Sequence, residues 1–447
     1  VEVPEEPAEE DAAEAPEEPA EPAEGTAAGP ITVANMQGIA PGKYPTQYEL
    51  AEFEAATGTE MEFTGRTSFD PMLTDIFGDF PSDVNDRLPE EPMVVVPYNE
   101  IGVYGGELQG LSLGPESGNS EYMSWRHNNF LRYAEDLETI VPNVVKDYSV
   151  NDDLTEFTFT LRKGHKWSDG EPFTTDDVMF WYEDIIMNKE LTPTVPSAWV
   201  FGGEPIQIEK IDDVTFVIKT AASAPGLLPW LARTWITTAA PRHYLESKHI
   251  KYNPDINDEA ATEGFASWVE YFFTWHGDWN DSVHRYGVPR LEAWLLVEET
   301  TEYQLMVANP YYFKVDTAGQ QLPYADRARE SYSQDPQVLE LKLINGEVDQ
   351  KAQSLSFASV PVFKDHEADG DYKVLLITPA SDGWTVAFNC THKEPALKDI
   401  FSNTQFSYAM SIALDRSEIN KVVCFGECEE ISTGVPIHPT ASFAKDE

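Results

Sequence analysis

Residues able to do covalent or metal chemistry are few in this sequence, and their spacing does not combine them. Among 447 residues there are three cysteines, Cys390, Cys424 and Cys428, and nine histidines. Cys424 and Cys428 sit in Cys-Phe-Gly-Glu-Cys, where a disulfide needs their α-carbons within ~7 Å and an oxidising compartment. Two idle thiols are the other reading of that spacing. Structural zinc asks for about four ligands, and only Cys390 and His392 are near the pair in sequence, so no metal site is expected. His127, His165 and His243 share no ligating spacing. No Gly-x-Ser-x-Gly elbow, His-Glu-x-x-His helix, Gly-rich phosphate loop or dinucleotide fingerprint occurs. With 78 Asp and Glu, a carboxylate pair at glycosidase separation would arise by chance, so acidity alone points to no hydrolase. The balance favours a binding protein without catalytic residues or cofactor.

What must position a binding surface is a chain long enough for two or three domains. Its charge is lopsided, 78 acidic against 30 basic residues for a net of -48. Nucleic acid is thereby excluded as a partner, since phosphates are neutralised by Lys and Arg. A basic patch for an anionic bilayer is missing for the same reason. No run reaches the ~18 apolar residues of a membrane span. Residues 1–29 form an acidic Glu/Pro/Ala segment; its first 25 residues hold eleven acidic residues and five prolines, without Lys, Arg or aromatics. Such a composition cannot offset its ordering entropy and is expected to be a disordered, extended stalk. The start at Val1 suggests a removed leader, and the stalk reads as the spacer behind a lipid anchor outside the cell membrane.

Order is expected from about residue 30. Residues 30–97 read as an N-terminal extension and connector, with a helix over 46–58 that places Leu50 and Phe53 on one face. Strand patterns follow at 107–113 and 155–161, the latter alternating Phe157, Phe159 and Leu161. Thr174 and Asp177 resemble a capping box, opening a helix with Val178, Trp181, Tyr182, Ile185 and Ile186 at helical spacing. A hairpin turns at Asp212-Asp213, between Ile206/Ile208 and Val214/Phe216/Ile218. Strands are expected again at 371–378 and 384–388. Helices are expected around Phe406 to Ala413 and after Asp415. Irregular mixing of strands and helices favours an α/β or α+β protein with long excursions.

Against that background, residues 143–184 carry a specific resemblance. Leu161-Arg162-Lys163-Gly164, Lys166-Trp167-Ser168-Asp169-Gly170-Glu171-Pro172-Phe173 and Asp176-Asp177-Val178 resemble the signature of family 5 extracellular solute-binding proteins of ABC importers, the oligopeptide- and dipeptide-binding type. Other segments agree in order. They include Tyr104-Gly105-Gly106, Asn309-Pro310-Tyr311-Tyr312, Gln321-Leu322-Pro323-Tyr324 and Gly346-Glu347-Val348-Asp349. Phe388-Asn389, Ala413-Leu414-Asp415-Arg416, Gly426 and Pro436 complete the set. The resemblance implies a two-lobed α/β fold like that of type II periplasmic binding proteins of the peptide-binding class. Residues 98–377 would form lobe I with a subdomain and insertion, and residues 378–447 would start lobe II. Members of the family continue past this point, so the second lobe is expected to be incomplete.

The resemblance also implies that a solute is held between the lobes and delivered to a membrane permease, with no catalysis. Aromatic faces suit either a sugar ring or a peptide side chain. Trp125 and Asn128 follow the first strand, Trp199 and Trp235 lie in apolar or loop contexts, and Asp382 and Trp384 fall at the entry to the second lobe. These six are the candidate ligand residues, each with a structural reading beside it. Trp167, Trp181 and Tyr182 fit the periodic pattern and read as core. The expected solute is an uncharged or cationic short peptide, with an oligosaccharide as the alternative, bound by a monomer. A secreted carbohydrate-active enzyme and an adhesive lipoprotein are the readings from other classes.

Overall fold

The computed structural model of the protein describes residues 47–97, 100–114, 128–134, 136, 138–233, 238–276, 286–351, 355–375, 386–423 and 425–426. The acidic segment 1–29, Trp125, Trp235, Asp382, Trp384, Cys424 and Cys428 lie outside the described residues.

In chain order the strands are β1 (Gln47–Glu49), β2 (Met93–Val95), β3 (Glu107–Ser112), β4 (Leu131–Tyr133), β5 (Ile140–Pro142), β6 (Val145–Val150), β7 (Glu156–Leu161), β8 (Val200–Phe201), β9 (Glu204–Pro205), β10 (Gln207–Lys210), β11 (Thr215–Lys219), β12 (Trp294–Glu299), β13 (Tyr303–Ala308), β14 (Lys314–Asp316) and β15 (Arg327–Tyr332). They build one four-stranded sheet in the order β10-β11-β7-β6, a second in the order β12-β13-β15-β3, and a three-stranded sheet β1-β2-β14. The first sheet is antiparallel throughout. In the others, β15 runs parallel to β3 and β14 parallel to β2. Those two pairings tie early and late segments of the chain together.

The alternation in β7 does what period two demands. Phe157, Phe159 and Leu161 all enter the main core, and Phe159 stacks on its register partner Phe216 with ring centroids 5.2 Å apart. The expected hairpin is β10–β11. Thr174 and Asp177 form the expected capping box, starting the helix Thr175–Phe180. Beyond Phe180 the structure differs from a plain α-helix: Trp181–Ile186 is a π-helical turn. Its wider turn keeps both Trp181 and Ile185 buried. Trp167 also lies in this core, with Tyr182 partly buried against it.

The second sheet is covered on both faces. Trp294, Leu296, Met306 and Ala328 pack on one side; Leu295, Val297, Leu305 and Val307 pack on the other against Leu73. The helix expected over 46–58 is shorter, Leu50–Thr57, because Gln47–Glu49 pair with β2 as β1; Gly58 in the left-handed region stops it, and Phe53 is buried. Its core is shared with Val84, Leu88, Val94 and Val315.

The strands expected at 371–378 and 384–388 are corrected where they are described; residues 376–378 and 384–385 lie outside the described residues. Residues 371–375 form no strand, because their hydrogen bonds go back to the preceding helical turns. Tyr372 N donates to Glu367 O, Val374 N to a Glu367 carboxylate oxygen at 2.6 Å, and the Tyr372 hydroxyl to Phe363 O at 2.7 Å. Residues 386–388 form no strand with the described residues; Phe388 O accepts from Cys390 N at 2.9 Å and its ring turns onto Phe401 and Phe406. The helices Thr404–Ile412 and Arg416–Val423 do form, and Asp415 caps the second by accepting from Glu418 N at 3.0 Å. Among the described residues, no helix is long and apolar enough to cross a membrane.

Candidate functional site

Of the six candidate ligand residues, Asn128 and Trp199 are described. Trp199 is 3% exposed, set edge-on against Trp181 with centroids 5.2 Å apart. Protein atoms cover its faces, so its indole serves the core in this arrangement and offers a solute no open surface. Asn128 stands differently, partly exposed and at the head of a polar network.

The network grows from residues that the local sequence fixes. Asn128 Nδ2 donates to Leu291 O at 2.9 Å, and its Oδ1 accepts from Asn143 Nδ2 at 3.0 Å. Asn143 follows β5 directly, and its carbonyl accepts from Arg162 Nε and Nη2 at 3.2 and 3.1 Å. Arg162 is fully buried at the end of β7. It grips Glu49 bidentately at 2.6 and 2.7 Å and also donates to Val145 O and Glu91 O. A planar guanidinium suits this fork-on-carboxylate geometry, which a lysine would not reproduce. The arginine of the Leu-Arg-Lys-Gly motif is therefore a clamp joining β1, the 91 segment and β6.

Lys314 lies beside this network, its Nζ and the Arg162 guanidinium each 5.4 Å from the centre of the Phe313 ring, and sequence reasoning missed it. Lys314 is 8% exposed. Burial, followed by the charges of Arg132 and Arg162, holds its ammonium well below the usual lysine range. The available signal was a lysine between Phe313 and Val315 in an apolar strand. Burial also pushes the Tyr312 hydroxyl up, with Arg132 and Glu292 the charges that reach it.

The other motif residues have positional roles. Gly170 is left-handed, with φ of +90°, and a Cβ there would approach the Tyr311 hydroxyl to 2.7 Å. Asp169 of the same turn holds His243 Nε2 at 2.8 Å. Gly346 lies at φ +70° against Gly370 O, 2.2 Å from where a Cβ would stand. That turn delivers Asp349 to the edge of β3. There Asp349 N donates to Gln109 O at 2.9 Å, and the carboxylate accepts from Gln109 N at 2.6 Å. Among the described residues no group of His, Cys, Asp and Glu could hold a metal ion.

The sequence matches the model of the bacterial extracellular solute-binding proteins, family 5 Middle, over residues 139–446. The chain belongs to this family. That match contains the Leu161–Val178 signature, the Gly346–Asp349 turn and the last helices. A periplasmic alpha-galactoside-binding protein of Rhizobium meliloti is 27% identical over 387 residues, covering 78% of this chain and 52% of that protein. A probable ABC transporter-binding protein of Deinococcus radiodurans is 25% identical over 314 residues, or 69% of this chain and 49% of that one. The chain thus spans about half the length of these relatives. Among solved structures, an oligopeptide-binding protein OppA superposes with a TM-score of 0.67 at 30% identity, covering 85% of this chain and 60% of OppA. The stachyose-bound periplasmic binding protein MelB of Agrobacterium fabrum superposes with a TM-score of 0.59 at 24% identity, covering 84% and 57%; that likeness speaks to fold. The family 5 fold is thus the mixed α/β architecture of two-lobed peptide-binding proteins, whose family members are receptors for solutes.

Proposed function

We propose that the protein is the substrate-binding receptor of an ABC importer, capturing a short peptide between two lobes and delivering it to a membrane permease. The family match over residues 139–446 carries this reading, and the likeness to an oligopeptide-binding protein at 30% identity supports the peptide. A receptor of this kind works by closing two lobes around its solute and needs no catalytic group. It acts outside the cytoplasm as a monomer, lipid-anchored through the acidic segment 1–29, with no nucleic-acid partner. Asn128 and its network supply part of the wall facing the solute, together with Trp125, Trp235, Asp382 and Trp384.

A second reading keeps the receptor and exchanges the solute for an oligosaccharide. The relative named for alpha-galactosides, aligned over 78% of this chain, favours it. The deciding experiment is a thermal-shift screen of the full-length protein against di- to pentapeptides and against galacto-, gluco- and xylo-oligosaccharides. At a hundredfold excess over the dissociation constant a true solute stabilises by about 2.7 kcal/mol. A response to peptides alone supports the first reading. A response to sugars alone moves the assignment to the second, and silence from both classes sinks the two together.

A further inference from the structure

Two triplets of the chain have the form Asn-x-Ser/Thr without proline in the middle, Asn280-Asp281-Ser282 and Asn389-Cys390-Thr391. The first lies outside the described residues. A pattern so short arises by chance, so its surroundings decide what it can do. Asn389, Cys390 and Thr391 are all exposed, on the turn between Phe388 and the helix Pro395–Phe401. That turn is held on its inner side. Phe388 stacks on Phe401 with ring centroids 5.6 Å apart, and His392 meets Phe401 edge-on at 6.1 Å. Cys390 N donates to Phe388 O at 2.9 Å and His392 N to Asn389 O at 3.1 Å. The Cys390 thiol donates to Phe401 O at 3.4 Å, and the Ser402 hydroxyl donates to Cys390 O at 3.5 Å.

The two ends of the triplet are joined to each other. Asn389 Oδ1 accepts from Thr391 N at 3.0 Å and from the Thr391 hydroxyl at 2.9 Å, the closure an asparagine makes with the backbone two residues on. Nδ2 is left as the open end of the amide, and among the described residues it makes no hydrogen bond. An amide nitrogen becomes a nucleophile only as it gives up a proton. Two donors on Oδ1 ease that step, because they stabilise the charge that builds on the oxygen.

We propose that Asn389 is the acceptor of an N-linked glycan. The triplet is the pattern such acceptors have, and it stands on a surface turn as they do. In the transfer, Nδ2 bonds to the anomeric carbon of a glycan carried on a polyprenyl diphosphate. The bond from that carbon to the phosphate oxygen breaks, the lipid diphosphate leaves, and the Nδ2 proton passes to a base of the transferase. Such transfer takes place outside the cytoplasm, so the proposal rests on the location given in the receptor reading. Phe388 also meets Phe406 of the helix Thr404–Ile412, which buries no residue. A bulky, hydrated glycan on Asn389 would therefore stand beside apolar surface and help to keep it soluble.

The test is peptide mapping by mass spectrometry of the protein isolated from the cells that naturally make it, with fragmentation that places any added mass on one residue. A glycan on Asn389 is expected. Asn389→Gln and Thr391→Ala, expressed in the same cells, should each abolish it, and Thr391→Ser should retain it. Cys390→Ser should leave it in place, which separates attachment at the amide from attachment at the thiol. An unmodified Asn389 in protein recovered from outside the membrane overturns the proposal and leaves the receptor reading standing. So does a glycan on Asn280 alone, or one that survives Asn389→Gln. Recovery of the protein only from the cytoplasm fails both readings together. Because the natural protein is mapped directly, a variant that does not fold leaves the answer readable.

Discussion

Two stretches of this chain bury their apolar residues in opposite ways. From β6 to β15, nearly every residue with an inward position is covered, and the two four-stranded sheets each own a core. In the last described stretch, the helices Pro395–Phe401, Thr404–Ile412 and Arg416–Val423 bury no residue at all. Tyr408, Ile412 and Val422 are each more than 60% exposed. Both stretches have helices and caps, so local signals cannot separate them. The difference lies in long-range partners: strands that find register partners inside the described chain acquire two-sided cover, while the ring contacts of these helices are local, Phe401 and Phe406 meeting each other and Phe388. Stability should therefore be concentrated in the first stretch.

The largest expected effect tests that concentration directly. Phe216→Ala removes a fully buried ring stacked on Phe159 and touching Phe130 and should cost ~4 kcal/mol in urea unfolding, transfer loss and cavity together. Phe401→Ala, on the other side of the comparison, should cost less than ~1 kcal/mol. Equal losses would break the contrast.

The second effect asks whether the small sheet β1-β2-β14 belongs to the well-covered part. Glu49 is the counter-ion of Arg162, which is fully buried. Glu49→Ala leaves that guanidinium uncompensated, and removing one partner of a buried pair costs ~3 kcal/mol or more. A change under ~1 kcal/mol would show that β1 is an accessory to the sheets and not part of their stability.

Much of this architecture was legible beforehand, because it rests on periodicity and turn chemistry. The alternation of Phe157, Phe159 and Leu161, the Thr174–Asp177 box and the hairpin around Asp212 are each decided within about ten residues of sequence. The parallel pairings of β14 with β2 and of β15 with β3 depend on contacts more than 200 residues apart, and no local pattern encodes them. Of the strand expected at 371–378, the described residues 371–375 take another course for a related reason. Its residues have strand propensity, yet the nearest acceptors belong to the turn at Glu367. The site was less legible than the fold. Trp199 attracted attention because indoles stack on ligands, but the same large apolar ring is what a core selects. Lys314 was passed over because one charged residue inside an apolar run looks like noise until its neighbours are known.

A third prediction sharpens the contrast through pH. His165 is buried between Phe173 and Phe313 with both ring nitrogens unpaired. Burial first, and the Arg162 charge second, hold its pKa down at about 3 against an ordinary 6.5. The unfolded chain then takes up a proton that the folded chain refuses. Its contribution to stability is complete above pH 6.5 and is lost as pH falls from there towards 3, by about 1.4 kcal/mol per unit. His165→Leu should remove that slope, which urea titrations of both proteins at pH 7.0, 6.0 and 5.0 would reveal. Parallel pH profiles would mean that His165 is protonated in the fold.

The smallest effect is expected on the helix Thr404–Ile412. Ile412 is 63% exposed, so replacing it with Asn gives up little burial, and surface substitutions of this kind stay within ~0.5 kcal/mol. What should change is the surface itself. Tyr408, Met410, Leu414, Val422 and Phe425 are also exposed on these helices and the turn after them, an apolar surface of the sort that binds hydrophobic dyes or other chains. Ile412→Asn in the 447-residue chain should therefore lower the fluorescence of a bound naphthalene-sulfonate dye and reduce aggregation on heating, while the urea midpoint stays in place. Phe216→Ala should do the reverse, moving the midpoint strongly with little effect on native-state dye binding. A loss above ~2 kcal/mol on Ile412→Asn, the amount that full burial of an isoleucine would supply, would show that this face is packed in solution and would erase the distinction between the two stretches.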